Sequence, residues 1–282
     1  MIRTRLAGGR RAPFKTAFRA GTGTLAMLLA SMAPAQSQPM PLIPAASIVR
    51  ASPALWQIQD ADTTIYLFGT FHTLDGRTVW FDDQIRNAFN ASGELVLETV
   101  VPADPSSARE HVTEVGPDGK RTLKPFIAQT RTAMSHGNAM GMSVDNGADM
   151  VLRRVAEGLG KPVSGLERFE DQLKALANIP VPPRASAPTA TSAPVTVNEL
   201  LGAWTRGDTG AFSAMLDGFE AKSPVAYRML IADRNARWGQ WIVNRLDQPG
   251  TVFVAVGSGH LAGRHSLQSW LADRGIATNR IS

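Results

Sequence analysis

Two segments of this 282-residue chain end in the same way. Gly69-Thr70-Phe71-His72 follows the apolar run Ile65 to Phe68, and Gly257-Ser258-Gly259-His260 follows Val252 to Val256. Two further strand-like stretches, Leu95-Val96-Leu97 and Pro162-Val163-Ser164-Gly165-Leu166, stop at carboxylates, Glu98 and Glu167. Ligands of open α/β sheets bind beyond the carboxyl ends of the strands. If these four strands run parallel, they deliver two imidazoles and two carboxylates to one crevice. Such a group can bind a divalent cation or act as general acid and base. In both histidine segments the glycine is expected to let the chain turn sharply as it leaves the sheet.

A fifth residue joins them. From Val225 to Leu246 the spacing predicts one long helix, with Tyr227, Leu230, Ile231, Trp238, Trp241 and Ile242 on one face. Arg234 shares that face, one turn before Trp238. A guanidinium directed inward must find an anion, either a buried carboxylate or a substrate group. The other arrangement lays its stem over Trp238 and keeps the charge in water.

The elements that would position these groups alternate strand and helix. Leu55-Trp56-Gln57-Ile58 and Thr64-Ile65-Tyr66-Leu67-Phe68, joined across Asp60-Ala61-Asp62, read as an antiparallel hairpin. A helix is expected from Asp82 to Asn90 and another over 147–159, its apolar face formed by Met150, Val151, Leu152, Val155 and Leu159. Thr251 to Val256 is continuously apolar between Pro249-Gly250 and Gly257, as in a central strand buried on both faces. Ser266 caps a last helix through Asp273, which Gly275 ends. The fold class is therefore α/β, a mixed central sheet with helices on both faces.

Between these elements, residues 102–122 are polar and turn-rich, punctuated by Gly116-Pro117-Asp118-Gly119. His111 and His136 fall in turn-rich surroundings and are expected at the surface, as is His265 at a helix start. Met134, Met140 and Met142 cluster near Gly137 and Gly141 as core or loop filling. Pro180 to Val195, rich in Pro, Ala, Ser and Thr, holds too few large apolar groups to pack a core and reads as a flexible loop 180–195 within one domain.

The formal charge of +5 belongs to the N-terminus. Six of the 29 bases (Arg3, Arg5, Arg10, Arg11, Lys15, Arg19) precede residue 20, and the remaining 23 face 24 acids, a net of −1. The mature chain thus gives no reason to expect nucleic acid as a partner. That basic stretch, an apolar run from Thr24 to Ala33 and the small residues Ala33-Pro34-Ala35 form a signal peptide over residues 1–35. The run is about half the ~20 residues a membrane-spanning helix needs, so the expectation is a periplasmic or secreted protein without a stable membrane anchor. Residues 36–50 read as a disordered mature tail before one domain over 51–282. There is no cysteine, which removes disulfides, thiol catalysis and cysteine metal sites. Phosphate-loop, dinucleotide, Gly-x-Ser-x-Gly and His-Glu-x-x-His patterns are likewise missing from the sequence.

The ordered blocks resemble the TraB/GumN family, which includes the pheromone-shutdown proteins and is related to the Tiki metalloproteases. They run from Leu55-Trp56-Gln57-Ile58, through Thr64 to His72, Leu95 to Glu98, Gly165-Leu166-Glu167 with Gln172 and Leu173, Ala203-Trp204, Gly207-Asp208 and Arg234-Asn235 with Trp238, to Val252 through Gly263. The resemblance implies an erythromycin-esterase/Tiki-like fold and a metal-dependent peptidase. Its site would be His72, Glu98, Glu167, Arg234 and His260, with His72, His260, Glu98 and Glu167 ligating manganese or cobalt, or zinc. One glutamate would ligate and the other serve as base. Other branches imply a metal-independent hydrolase built on a histidine base, or a non-catalytic accessory protein binding a peptide, a polysaccharide-assembly component or haem. The stretch 180–195 departs from the family pattern.

Overall fold

The computed structural model describes residues 48–104, 106, 108–139, 141–180 and 195–282. Residues 1–47, read above as a signal peptide and tail, Met140 and residues 181–194 of the Pro/Ala-rich stretch lie outside the described residues, as do the side chains of Met134 and His136. The described residues form ten strands: β1 Val49–Arg50, β2 Leu55–Gln59, β3 Thr63–Thr70, β4 Thr78–Val79, β5 Glu94–Leu97, β6 Thr113–Val115, β7 Arg121–Leu123, β8 Val163–Gly165, β9 Gly250–Gly257 and β10 Asn279–Arg280. The α-helices are α1 Asp83–Ala91, α2 Ala108–Val112, α3 Pro125–Ala139, α4 Ala148–Gly158, α5 Phe169–Ala177, α6 Val197–Thr205, α7 Gly210–Lys222, α8 Pro224–Tyr227, α9 Asp233–Leu246 and α10 Leu267–Ala272.

Six strands form one mixed sheet in the order β10-β2-β3-β9-β5-β8. β2 and β3 make the expected antiparallel hairpin, while β3, β9, β5 and β8 run parallel to one another. Period-two alternation explains the two cores. Val252, Val254 and Val256 of β9 point to one face with Ile65, Leu67, Trp238, Ile242, Leu267 and Leu271. Phe253 and Ala255 point to the other, with Phe68, Phe89, Leu152, Trp204 and Phe212. Helices therefore cover both faces, and β9 is buried along almost its whole length. Among the described residues no helix is long and apolar enough to cross a membrane.

Local chemistry sets the helix starts. Asp82 accepts the Ile85 N–H at the head of α1, and Ser266 accepts the Ser269 N–H at the head of α10. Several sequence readings change. Val49–Arg50, placed in the tail from the sequence, pairs with Thr78–Val79 as a strand. The turn-rich segment contains helix α2 and a β6–β7 hairpin folded around Gly119, whose φ is 72°. His111 and His136 accordingly sit on helices α2 and α3 rather than in turns. Leu159 caps α4 and is exposed, whereas Ala148, Leu152 and Ala156 bury that helix. The long helix is also interrupted: a π turn over Arg228–Ala232 joins α8 to α9.

Candidate functional site at the carboxyl edge of the parallel strands

The four parallel strands end along one edge. His72 lies two residues past β3, His260 three past β9, Glu98 one past β5 and Glu167 two past β8. The chain bends differently from the sequence expectation, because neither motif glycine has a positive φ. Their absent side chains matter for closeness instead. A Cβ on Gly69 would sit 2.8 Å from Ser258 Oγ, and one on Gly257 would sit 2.9 Å from His72 Nε2 and 3.1 Å from Glu98 Oε1. Glycine here lets two neighbouring strand ends and a catalytic-type side chain share one small volume. Ser258 Oγ then donates to Thr70 O at 3.0 Å, tying the two motifs together, and Trp204 Nε1 donates to Gly69 O at 2.8 Å, anchoring the first of them to α6.

Arg234 holds the centre, with its anions found inside the protein. Its Nη2 lies 2.7 Å from both Glu98 Oε2 and Glu167 Oε1, and Nε donates to Glu167 Oε1 at 3.0 Å. The guanidinium is 4.4 Å from the Trp238 ring, which is itself 4.4 Å from the His260 ring. Burial works against the charge of Arg234, and Glu98 and Glu167 outweigh it, holding the guanidinium protonated. Burial would likewise raise Glu98, but Arg234, the two histidines and the Gly257 N–H at 2.7 Å keep its carboxyl far below the usual range.

His260 is neutral and its tautomer is set by Asn235. The Asn235 amide donates to His260 O at 3.1 Å and His265 O at 2.6 Å, so its oxygen accepts from His260 Nδ1 at 2.7 Å. Nε2 is then an acceptor, filled by Arg234 Nη1 at 3.1 Å. Burial, opposed by Glu98 and reinforced by Arg234 and His72, pushes the His260 pKa down to about 3.

His72 differs. Its side chain is 56% exposed, and Nδ1 meets Asp149 Oδ1 at 3.3 Å. Asp149 stands in the first turn of α4, and that helix is clamped to the histidine segment: Ala148 N donates to Phe71 O at 3.0 Å, and a Cβ on Gly147 would come within 2.2 Å of His72 O. The protein shields part of the ring from water, which lowers the His72 pKa, but the Asp149 and Glu98 carboxylates outweigh this and raise it to about 9. Asp149 and Asn235 were not singled out as site residues from the sequence. The carboxylate in the first turn of a helix that starts after glycine was the available signal for Asp149. The His265 side chain instead bonds Tyr227 Oη through Nδ1 at 3.1 Å, and only its backbone carbonyl meets the cluster, through Asn235.

This donor set bears on a metal. Glu98 Oε2, Glu167 Oε1 and His260 Nε2 each already face Arg234, leaving His72 Nε2 and Glu98 Oε1 directed at shared space without a direct ion pair between them. Among the described residues no three His, Asp or Glu side chains are disposed as a metal site. Joint ligation by His72, His260, Glu98 and Glu167 would require the guanidinium to withdraw, so the residues as arranged do not fit a four-ligand cation.

A cavity of about 580 Å³ opens over the cluster. His72, Glu98, Arg234 and His260 form its polar floor, and Phe71, Met142, Phe212, Met215 and Ile231 its apolar walls. A mostly apolar cavity of this size with a few convergent polar groups is the form of a small-molecule or peptide site.

The neutral state of His260 predicts acid sensitivity. Its folded pKa is depressed, so the unfolded chain takes up a proton below about pH 6.5 that the fold refuses until about pH 3. Stability from this group is complete above pH 6.5 and falls with pH below it, at a limiting slope of about 1.4 kcal/mol per pH unit. Glu98, also depressed, adds to the loss below its unfolded value of 4.5. Urea unfolding between pH 7 and pH 4 should show this decline; an unchanged midpoint would contradict a buried neutral His260.

The fold and site together define an α/β protein with an ionic cluster at the carboxyl edge of four parallel strands, under a mostly apolar cavity. The model of the TraB/PrgY/gumN family matches residues 54–114 and 101–280, and the chain belongs to that family. Comparison with curated proteins and with solved structures gives no match.

Proposed function

We propose that this protein is a hydrolase of peptide or related acyl bonds, exported to the periplasm, in which His72 acts as general base. The observation that carries the reading is the Asp149–His72 pair beside Glu98 Oε1. Asp149 holds the Nδ1 proton and orients the ring, so Nε2 can accept a proton from a water lying between it and Glu98 Oε1. The water oxygen bonds to the substrate carbonyl carbon, and the proton rests on His72, where Asp149 and Glu98 stabilise the imidazolium. Collapse breaks the carbon–nitrogen bond as His72 returns that proton to the leaving amine. Arg234 keeps Glu98 ionised and supplies positive charge at the cavity floor for the developing oxyanion. His260 and Glu167 fix Arg234 and stay unchanged through the cycle.

A base must be free of its proton before it works. Because the His72 pKa is raised to about 9, the active fraction is small at neutral pH and grows as pH rises. The test is a screen of neutral peptides and acyl esters over pH 6 to 10. A rate that climbs with pH and levels near 9, undiminished by chelator, is expected. A bell centred below 7 would overturn the role of His72 as base. Activity that appears only with added manganese or cobalt would overturn it in favour of the metal-dependent reading.

A further inference from the structure

A developing oxyanion needs a hydrogen-bond donor as well as positive charge, and Arg234 has no N–H left to offer. Its five N–H groups are engaged by Glu167 at Nε, by Leu230 O and His260 Nε2 at Nη1, and by Glu98 and Glu167 at Nη2. Other side-chain donors of the cavity over the cluster are committed too. Ser258 Oγ donates to Thr70 O, Thr130 Oγ1 to Phe126 O, His260 Nδ1 to Asn235 and His72 Nδ1 to Asp149. Thr73, beyond the histidine, is half-exposed. One hydroxyl differs. Thr70 is 2% exposed and lines the same cavity, and its Oγ1 is buried without a hydrogen-bond partner among the described residues. An unpaired buried hydroxyl is destabilising, and valine has the same shape, so packing alone gives no reason for threonine here.

The sheet fixes where that hydroxyl stands. Thr70 ends β3 and pairs in parallel register with Gly257, the last residue of β9. Registered partners point to one face, here the face of Phe68 and Ala255. On that face Gly257 has no side chain, and the place of its Cβ lies 2.9 Å from His72 Nε2 and 3.1 Å from Glu98 Oε1. Thr70 is thus the lateral neighbour, one strand spacing of roughly 4.8 Å away, of the space where those two groups would hold a water. We propose that Thr70 is a further catalytic residue, its hydroxyl donating a hydrogen bond to the oxyanion formed when that water adds to a carbonyl. This rests on the hydrolase reading above. A turn about the Cα–Cβ bond exchanges hydroxyl and methyl, so the O–H can be presented when a substrate oxygen arrives. Thr70 forms and breaks no covalent bond and keeps its proton. The carbonyl π pair moves onto oxygen as water adds, the hydrogen bond strengthens with that charge, and it relaxes when the carbonyl reforms. Arg234 contributes charge and Thr70 the directed donor.

The test compares wild type, Thr70→Val and Thr70→Ser on p-nitrophenyl acetate and butyrate. Thr70→Val keeps the shape and removes the donor, so kcat should fall about 10²-fold or more with KM nearly unchanged, the scale of losing one oxyanion donor. Its melting temperature should equal or exceed that of wild type, because the hydroxyl it removes is unpaired in the fold. Thr70→Ser retains an O–H and should stay within about tenfold of wild type. A structural hydroxyl gives the opposite pattern: Thr70→Val would melt lower and lose rate only in proportion to the protein unfolded. That pattern, or a Thr70→Val rate within about threefold of wild type, would overturn the proposal. A second readout needs no turnover. Phenyl methylphosphonate, whose charged oxygens mimic the oxyanion, should bind wild type and Thr70→Ser alike, and Thr70→Val about tenfold more weakly by calorimetry. Binding weakened in this way without any ester hydrolysis keeps Thr70 as the anion's donor and removes the hydrolase reading. Ester hydrolysis undiminished in Thr70→Val keeps the hydrolase reading and removes this one. Equal phosphonate affinity in wild type and Thr70→Val, or no binding to either, would sink the proposed donor as well.

Discussion

Replacing His72 by alanine is expected to reduce kcat/KM by about 10²- to 10⁴-fold, the usual contribution of a positioned general base, while the protein stays folded. The two effects separate because of where the residue sits. Its side chain is more than half exposed, and its one side-chain hydrogen bond is to Asp149. Little packing is lost with it, and Asp149, itself partly exposed, regains water. The sign of the small stability change depends on pH. A raised histidine pKa stabilises the fold fully below the unfolded value of 6.5, and that contribution disappears as pH rises through about 9. The alanine variant should therefore be slightly less stable than wild type at pH 6 and indistinguishable at pH 10. Asp149→Asn should retain the fold and lower the pKa of the rising limb, since the carboxylate that raises it is gone. Full activity in His72→Ala protein, with a large drop in melting temperature, would mark His72 as a structural residue and end the mechanism.

Arg234→Met should cost stability instead, by about 3–5 kcal/mol, the scale of removing one partner from a buried charge pair. Glu98 and Glu167 side chains are only 12% and 10% exposed, and the guanidinium touches both. Without it two carboxylates face each other in a poorly hydrated space, and His260 Nε2 loses its donor. Protonation relieves such repulsion, so the deficit against wild type should shrink as pH falls towards 5. A triple variant that also carries Glu98→Gln and Glu167→Gln should recover much of the lost stability but none of the activity. Urea unfolding of the three proteins measures this directly, and a loss below about 1 kcal/mol would show that the cluster is hydrated like a surface pair.

The parts of this site that were legible in the sequence are those that follow from one strand or one helix alone. Continuous burial makes β9 a pure apolar run, and its end at Gly257 can be read off directly. The inward phase of Arg234 follows from three- and four-residue spacing. Partners far apart in the chain leave no such trace: Asp149 reaches His72 across 77 residues, and only the docking of α4 against the histidine segment joins them. The reason for Gly257 was also hidden, since what crowds it is a side chain from another strand. The π turn escaped because Leu230 and Ile231 inside it keep three- and four-residue spacing to Tyr227 and Arg234, so the extra residue leaves no break in the apolar pattern. Helix α3 contains Gly137, two threonines and a serine, a composition that reads as a turn until tertiary contacts hold it.

That π turn gives the long helix a spare residue of slack. The five residues Arg228–Ala232 lie between a segment whose Tyr227 bonds His265 and one whose Arg234 grips both glutamates. Removing a single residue from them would leave an ordinary α-helix, but would swing everything upstream by about 100° around the axis. Arg234 Nη1 also reaches back to Leu230 O, at 3.3 Å, inside the loosened turn. The extra residue thus acts as a splice: it lets the helix satisfy two docking surfaces whose spacing does not fit a regular 3.6-residue repeat.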